Sequence, residues 1–387
     1  MIEQRGKNVW RITVYTGKVD GVYKRVTETF HGLKSEAQLR EHEIKAQVKA
    51  GGIIANKKIT FGQFSEKWLK EYAINLAPKT YNEYIKLLKK INKAIGNIPL
   101  RELKPLHLAE FYNSLRQTDK EQPHSKIDKS KPTNKRISEN TVLHYYTLIG
   151  GILNKAVEWE FLERNPNERV ERPKLIKREP QYYDMEQVQE LISCLEKEPL
   201  KTQAIIFLTL DTGARRGEIT GLNWDDIDLS KGIVDINKTT QLINGKVIEK
   251  SPKNNSSIRK VSITDKTINV LKLYRREQLA KEIKLGSKWE KTNKVFTSEL
   301  GGYMYPPYPS QLFDALIKKY NLKKINFHGL RHTSVSILIN AGIQVEAISD
   351  RVGHSTPSTT QNIYSHTFEK TEKKVVNVMN SILSKTR

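Results

Sequence analysis

Four short segments in the second half of the chain carry residue types that can do chemistry on a phosphate group. An arginine can neutralise phosphate oxygens, because its guanidinium stays charged and donates two parallel hydrogen bonds. A histidine can move a proton, a lysine can protonate a leaving oxygen, and a tyrosine hydroxyl can act as a nucleophile. In chain order, these residues are Arg215, Lys253, His328, Arg331, His354 and Tyr364.

Taken one at a time, these residues also have ordinary structural explanations. Arg215 can simply form an ion pair with Glu218, and Lys253 lies in a turn-like stretch that can leave it solvated. A histidine at a helix start, such as His328, is commonly a helix cap. A lone tyrosine such as Tyr364 is more often a core or surface residue than a nucleophile. Their order in one basic region favours chemistry, and the His-x-x-Arg spacing puts both side chains on one helical face.

Composition narrows the class of partner. The chain has 387 residues and 66 Lys and Arg against 43 Asp and Glu, a net charge of +23. A folded protein this basic usually binds a polyanion, with nucleic acid favoured over an anionic membrane. A basic protein without such a partner remains the alternative.

The same sequence favours a location inside the cell. No stretch approaches the roughly 20 apolar residues that cross a bilayer, and the N-terminus lacks an apolar signal region. Cys194 is the only cysteine, which fits a reducing compartment. We therefore expect no membrane contact and a cytoplasmic protein.

Hydrophobic periodicity divides the chain into three predicted domains. Residues 1–55 are predicted to form a small α+β unit, with strands at 9–15 and 23–30 and a helix that Ser35 caps. Residues 56–172 follow helical spacing throughout, with start signals at Pro78, Pro105 and Ser138. Residues 173–387 are predicted to mix helices with three short strand regions, the second broken by an Asn-Gly turn. The predicted protein is multidomain, mainly α, with small β-sheets.

Two basic surfaces outside the last domain can contact DNA. Arg11, Lys24 and Arg25 lie on the predicted N-terminal strands, although a solvated strand face is equally open. Residues 118–138 are predicted to form a polar loop with six Lys and Arg, among them Lys135 and Arg136, and a solvated connector is again equally open.

The order Arg, Lys, His-x-x-Arg, Gly-His, Tyr resembles the active site of the tyrosine recombinase family. The stretches TGARRGE, HGLRHT, GHSTPSTTQNIYSH and AVEWEFLERNP resemble most the integrases of phages and conjugative transposons from Gram-positive bacteria. The resemblance extends over nearly the whole chain. It implies an N-terminal arm-type DNA-binding domain, a helical core-binding (SAM-like) domain and a mixed α+β catalytic domain.

The resemblance also implies a role for each candidate residue. Tyr364 would be the nucleophile, His328 the base or proton shuttle, and Lys253 the acid for the leaving oxygen. Glu218 would orient an arginine from behind the site. The remaining residues would bind the phosphate in the transition state: Arg215, Arg331 and His354.

The implied reaction is site-specific DNA recombination through a 3′-phosphotyrosine intermediate, which integrates and excises a mobile element. The covalent link conserves bond energy, so no cofactor is expected, and the chain has no GxxxxGK[ST] loop and no compelling acidic cluster for a metal. Implied partners are double-stranded core and arm attachment sites and three further protomers in a homotetramer on two DNA sites. An excisionase or a host DNA-bending protein is a further implied partner.

Three alternatives stay open at this stage. A chromosome-dimer resolvase belongs to the same family, although the predicted N-terminal unit argues against it. A type IB topoisomerase shares much of the chemistry but acts alone and without site preference. A non-catalytic DNA-binding regulator would keep the fold with a dead active site, which the complete residue set argues against.

Overall fold

The computed structural model describes residues 1–19, 22–49, 59–117, 136–176, 179–251, 255–358, 360–361 and 379–380. The chain divides into two compact units, Met1–Lys177 and Arg178–Arg387. The first unit contains a small sheet with its own core and a helical part with a separate core. The boundary between residues 172 and 173 that the sequence suggested falls a few residues before the end of the first unit.

The N-terminal sheet has three antiparallel strands in the order β1-β2-β3. They are β1 (Ile2–Gly6), β2 (Val9–Val19) and β3 (Val22–His31), followed by α1 (Lys34–Lys49). Trp10, Ile12 and Val14 form the apolar face of β2 and pack with two residues of α1, Ala37 and Ile44. One face of this sheet is therefore covered by the helix.

Two local predictions in this sheet were wrong. Strand β1 was missed, because it is an edge strand with only Ile2 half-buried and so has no alternating pattern. The helix does not begin with Ser35 as its cap. It starts one residue earlier, at Lys34, and the Glu36 carboxylate accepts a hydrogen bond from the Leu33 backbone N–H.

The helical part contains α2 (Phe61–Glu71), α3 (Pro78–Ile95), α4 (Pro105–Gln117) and α5 (Glu139–Glu158). The predicted start signals are confirmed, since α3 and α4 begin at their prolines and Ser138 accepts a hydrogen bond from the Thr141 N–H. The helices share one apolar core, to which α5 contributes most: Val142, Tyr145, Leu148, Ile149, Ile152, Leu153 and Ala156.

The second unit is mixed. Its helices are α6 (Met185–Leu195), α7 (Leu200–Thr212), α8 (Arg216–Gly221), α9 (Asp265–Leu285), α10 (Tyr308–Tyr320), α11 (Phe327–Asn340) and α12 (Val345–Val352). Its strands are β4 (Ile227–Asp228), β5 (Ile233–Ile236), β6 (Thr239–Ile243), β7 (Lys246–Lys250) and β8 (Arg259–Ser262). Strands β4, β5 and β8 form one antiparallel sheet, and β6 pairs with β7 in a hairpin.

Local chemistry explains several elements of the second unit. Asp184 and Gln187 form the expected capping box at the start of α6. Asn244 and Gly245 both have positive φ, as the predicted Asn-Gly turn between β6 and β7 requires. Helix α7 is buried along most of its length, which fits its apolar run at residues 204–208. Strand β4 was not predicted, because two residues are too few to show a period.

The expected fold class is confirmed: the described chain is mainly helical and carries small sheets. Within the described ranges, no helix is long and apolar enough to cross a membrane.

Candidate active site

The first arginine of the site lies at a break between two helices. Helix α7 ends at Gly213, which has left-handed backbone geometry with φ +59°, and Arg215 caps the start of α8. A Cβ at Gly213 would lie 2.7 Å from the Cγ1 of Val352. Glycine is therefore required here both by the turn and by the close approach of the segment that ends α12.

Arg215 is held on one side and open on the other. Its backbone N–H donates to Oε2 of Glu218 at 2.9 Å, and its Nη1 donates to Oε1 at 2.8 Å. Nη2 donates to the Gly353 carbonyl at 3.0 Å. The side chain is 41% exposed, whereas the Glu218 side chain is only 4% exposed. The guanidinium is thus fixed at its back and available to an anion at its front.

The Glu218 carboxylate is ionised although it is buried. Burial raises its pKa, but the charges of Arg259 and Arg215 and the hydrogen bonds from Arg215 outweigh that effect and hold the pKa below its ordinary value. A buried carboxylate with two arginine partners is a fixed negative charge behind the site.

The second arginine comes from α11, which Asn326 caps through the Gly329 N–H. Arg331 is 2% exposed, and its Nη1 donates to the carbonyls of Gly213 at 2.7 Å and Val352 at 2.6 Å. Gly213 precedes Arg215 by two residues, and Val352 precedes the carbonyl that Arg215 contacts. The two arginines are therefore fastened to the same two pieces of backbone, although 116 positions separate them in the sequence.

The histidines lie within the field of these arginines. Burial lowers the pKa of His328, and the charges of Arg331 and Arg215 lower it further. For His354, burial and the same two charges lower the pKa to about 3. Both imidazoles are consequently neutral near pH 7, which is the form that can accept a proton or donate one hydrogen bond.

Three residues to which the sequence assigned no role belong to this cluster. His332 packs edge-on against His328, with ring centroids 4.8 Å apart. Thr360 is fully buried, and its hydroxyl lies 2.8 Å from Nδ1 of His354. Arg259 pairs with Glu218 at 3.1 Å. The sequence feature that could have revealed Arg259 is its position in β8, because alternation along the strand puts it on the same buried face as Val261.

Some predicted residues cannot be placed. Lys135, Lys253 and Tyr364 lie outside the described residues, as does the side chain of Lys24. Of the others, Arg11 is half-buried on β2, whereas Arg25 on β3 and Arg136 before α5 are exposed. Among the side chains that the structure describes, no group of three or more His, Cys, Asp and Glu could hold a metal ion.

Two family models match the chain. The model described as Phage integrase family matches residues 181–371, and the model described as Phage integrase, N-terminal SAM-like domain matches residues 60–116. The chain belongs to the phage integrase family. The resemblance to tyrosine recombinases is thereby confirmed, and with it the expectation of a tyrosine-type site-specific DNA recombinase.

Relatives of this recombinase carry both integrase and recombinase names. A protein named tyrosine recombinase XerC-like, from Caldanaerobacter subterraneus subsp. tengcongensis, is 26% identical over 98% of this chain and 97% of its own length. The ICEBs1 integrase of Bacillus subtilis is 28% identical over 64% of this chain and 67% of its own length.

Solved structures share the fold. The Tn1549 transposon integrase in complex with transposon right end DNA has a TM-score of 0.66 at 20% identity, covering 83% of this chain and 99% of that chain. A lambda integrase tetramer bound to a Holliday junction has a TM-score of 0.54 at 14% identity, covering 92% and 96%.

Proposed function

We propose that this recombinase integrates and excises a mobile element by breaking and rejoining DNA with Tyr364. The observation that carries the proposal is the convergence of Arg215 and Arg331 on the backbone at Val352 and Gly353. His354 follows that backbone directly. Two guanidiniums and a neutral imidazole next to this backbone can bind the non-bridging oxygens of a phosphate. These oxygens gain negative charge in the transition state of phosphoryl transfer.

The proposed cleavage step exchanges one phosphorus–oxygen bond for another. The Tyr364 hydroxyl attacks the phosphorus, a bond forms between its oxygen and the phosphate, and the bond from phosphorus to the 5′-oxygen breaks. His328 takes the tyrosine proton, and Lys253 gives a proton to the leaving 5′-oxygen. The incoming strand's 5′-hydroxyl reverses these transfers, so the phosphodiester is restored without an external energy source.

The lowered pKa of His328 supports its role as the proton acceptor. An imidazolium cannot accept a proton, and burial next to Arg331 and Arg215 keeps this ring neutral at neutral pH. Glu218 would keep Arg215 in place, since it binds both the backbone and the side chain of that arginine.

The open face of the N-terminal sheet supports an arm-type DNA-binding role. Arg11 and Tyr15 alternate with the apolar residues of β2 and so lie on the face opposite α1, and Arg25 is paired with Tyr15 on β3. Tyr15 is 56% exposed. Lys24, Lys135 and Arg136 would add phosphate contacts, which position DNA without reading its sequence.

The proposed partners are double-stranded core and arm attachment sites, bound by a homotetramer that joins two sites. Support comes from the structural neighbours, which are an integrase in complex with transposon end DNA and a lambda integrase tetramer bound to a Holliday junction. An excisionase or a host DNA-bending protein would set the direction of the reaction. The proposed location is the bacterial cytoplasm, on the nucleoid.

A second candidate is a chromosome-dimer resolvase of the same family. The relative named XerC-like aligns with 98% of this chain, so the N-terminal unit does not separate the two functions. The mobile-element role is favoured by the integrase names of other relatives.

The experiment uses nicked suicide substrates with attachment sites taken from the flanks of the native gene. Wild type is expected to give a protein–DNA adduct on a denaturing gel, and Tyr364→Phe none. Recombination between two different sites would support the integrase role, whereas resolution restricted to identical direct repeats would support the resolvase. Footprinted binding without any adduct would instead indicate a non-catalytic regulator, and cleavage without site preference a topoisomerase.

A further inference from the structure

Arg259 is a buried cation that touches three separate parts of the active-site region. It is the first residue of β8, and its side chain is 6% exposed. Nη2 donates to Oε2 of Glu218 at 3.1 Å, Nε donates to the Arg351 carbonyl at 2.8 Å, and Nη1 donates to the Ser257 carbonyl at 3.0 Å. Every nitrogen of this guanidinium therefore has an acceptor within the protein.

Each acceptor belongs to a different functional segment. Oε2 of Glu218 also accepts the Arg215 backbone N–H, so Arg259 and Arg215 share one carboxylate oxygen. Arg351 lies three residues before His354, at the end of α12. Ser257 lies on the stretch that leads from Lys253 into β8.

The Arg259 side chain packs closely against the turn at Gly353. A Cβ added at Gly353 would lie 3.0 Å from Nη1 of Arg259. Gly353 has φ +69°, and its carbonyl accepts the hydrogen bond from Arg215. The turn that receives Arg215 thus rests directly on Arg259.

Only arginine can make this set of contacts. The guanidinium is a planar fork that presents donors in three directions, while a lysine ammonium is a single compact centre on a flexible stem. Burial opposes the charge of Arg259 and lowers its pKa, and the Glu218 carboxylate opposes that effect. The buried pair is more useful for fixing geometry than for stability alone.

We propose that Arg259 is a positioning residue for DNA cleavage: it fixes Glu218 and the Arg351–Gly353 backbone, and through them the guanidinium of Arg215. Arg259 itself does not contact the phosphate. This inference rests on the proposed function, in which Arg215 stabilises the transition state.

The test compares single-turnover cleavage with DNA affinity in the full-length protein. With saturating suicide substrate, Arg259→Met is expected to lower the cleavage rate at least about 30-fold and to change the Kd for the site less than about twofold. Arg259→Lys keeps the charge but loses the fork, so it is expected to lose about tenfold. If Arg259→Met does not fold, Arg259→Lys carries the same test.

A double variant distinguishes positioning from a general structural defect. Because Arg259 acts through Arg215, the variant with both Arg259→Met and Arg215→Lys is expected to cleave within about threefold of Arg215→Lys alone. Lys238→Met is the matched control, since it breaks a largely buried ion pair with Asp226 in the same unit, and neither partner contacts Arg215 or Arg259. That control is expected to unfold more easily yet to cleave within about threefold of wild type.

Two results would overturn the inference: wild-type cleavage by both Arg259 variants, or a rate loss that multiplies with that of Arg215→Lys. Absence of any protein–DNA adduct with the wild-type protein would contradict the proposed function itself. Failure of the inference alone would leave the wild-type adduct and its loss in Tyr364→Phe unchanged.

Discussion

Arg331 donates a hydrogen bond to the carbonyl of Gly213, the residue that ends α7 two positions before Arg215. The contact joins α11 to the α7–α8 turn, so the two arginines of the proposed site cannot move independently. Site geometry in this recombinase consequently depends on glycine turns and backbone carbonyls as much as on the reactive side chains.

The turn at Gly213 gives a first prediction. Gly213→Ala puts a side chain at φ +59° and within 2.7 Å of Val352, so it is expected to cost about 2 kcal/mol of unfolding free energy and to lower cleavage at least about tenfold. Urea unfolding and single-turnover cleavage measure the two effects. Gly245→Ala is the control, because it has φ +79° with no atom within 4 Å of the added Cβ. It is expected to cost about 1 kcal/mol and leave cleavage unchanged. Equal effects of both variants would contradict this prediction.

The burial of Arg331 gives a second prediction. Arg331→Lys keeps a positive charge but cannot hold the Gly213 and Val352 carbonyls and also present donors to a phosphate. Cleavage is expected to fall about 100- to 1,000-fold, as for loss of one preorganised donor, with DNA affinity within about threefold of wild type. Gel-shift titration and adduct formation measure the two quantities. Cleavage by Arg331→Lys within tenfold of wild type would exclude a direct role for this arginine.

The contact between Thr360 and His354 gives a third prediction. For His354 to donate from Nε2 to a phosphate while neutral, its Nδ1 must accept the hydrogen bond, so the Thr360 hydroxyl must be the donor. Thr360→Val removes that donor and favours the wrong tautomer, and cleavage is expected to fall about tenfold. Thr360→Ser keeps the hydroxyl and is the control, expected within about twofold of wild type. Equal loss in both variants would show that shape rather than the tautomer matters.

The lowered pKa values of the histidines predict a pH dependence of stability. In the folded state, the pKa falls to about 4 for His332 and about 3 for His354, below the ordinary 6.5. At a pH between its folded-state pKa and 6.5, each histidine binds more protons in the unfolded chain than in the folded one. The stability that these histidines contribute is therefore full above pH 6.5 and is lost as pH falls. After allowance for solvent screening, each ring is expected to lower the free energy of unfolding by on the order of 1 kcal/mol when the pH falls from 7.5 to 5.5.

Urea unfolding of wild type and His354→Gln at the two pH values measures this effect. The variant is expected to lose about 1 kcal/mol less than wild type on acidification, because glutamine does not titrate. An identical loss in both proteins would show that His354 is not held neutral by its surroundings.

The exposed face of the N-terminal sheet gives a prediction about DNA binding. Arg11→Ala and Arg25→Ala are each expected to weaken binding to arm-site DNA and to reduce the slope of log K against log salt by about 1. Fluorescence anisotropy at several salt concentrations measures both quantities. Lys45→Ala is the control, because Lys45 belongs to α1 on the other side of the sheet and pairs with Glu41. A slope change in the control of equal size would place the DNA elsewhere.

Local patterns predicted much of the site because several of its parts are local in sequence. The three-residue spacings of Arg215 with Glu218 and of His328 with Arg331 follow from helix geometry. The caps at Ser138 and Asp184 are readable for the same reason. These features depend on neighbours within one helical turn, which a sequence displays directly.

The parts that could not be predicted are held together by contacts between distant segments. Arg259 meets Glu218 across 41 positions and the Arg351 carbonyl across 92, and no local pattern specifies either contact. Gly213 looks like an ordinary helix end, and only the packing of Val352 shows why a side chain would not fit there. The alternation of β8 places Arg259 on the same face as Val261, but the groups that a buried charge contacts are set by tertiary packing and were visible only in the fold.

The central claim is that the reaction runs through Tyr364, and the most direct measurement is the identity of the residue that carries the DNA. The adduct from a suicide substrate would be digested with nuclease and protease, and the modified peptide would be sequenced by mass spectrometry. We expect a nucleotide on Tyr364. Modification of another exposed tyrosine, such as Tyr303 or Tyr305, would contradict it.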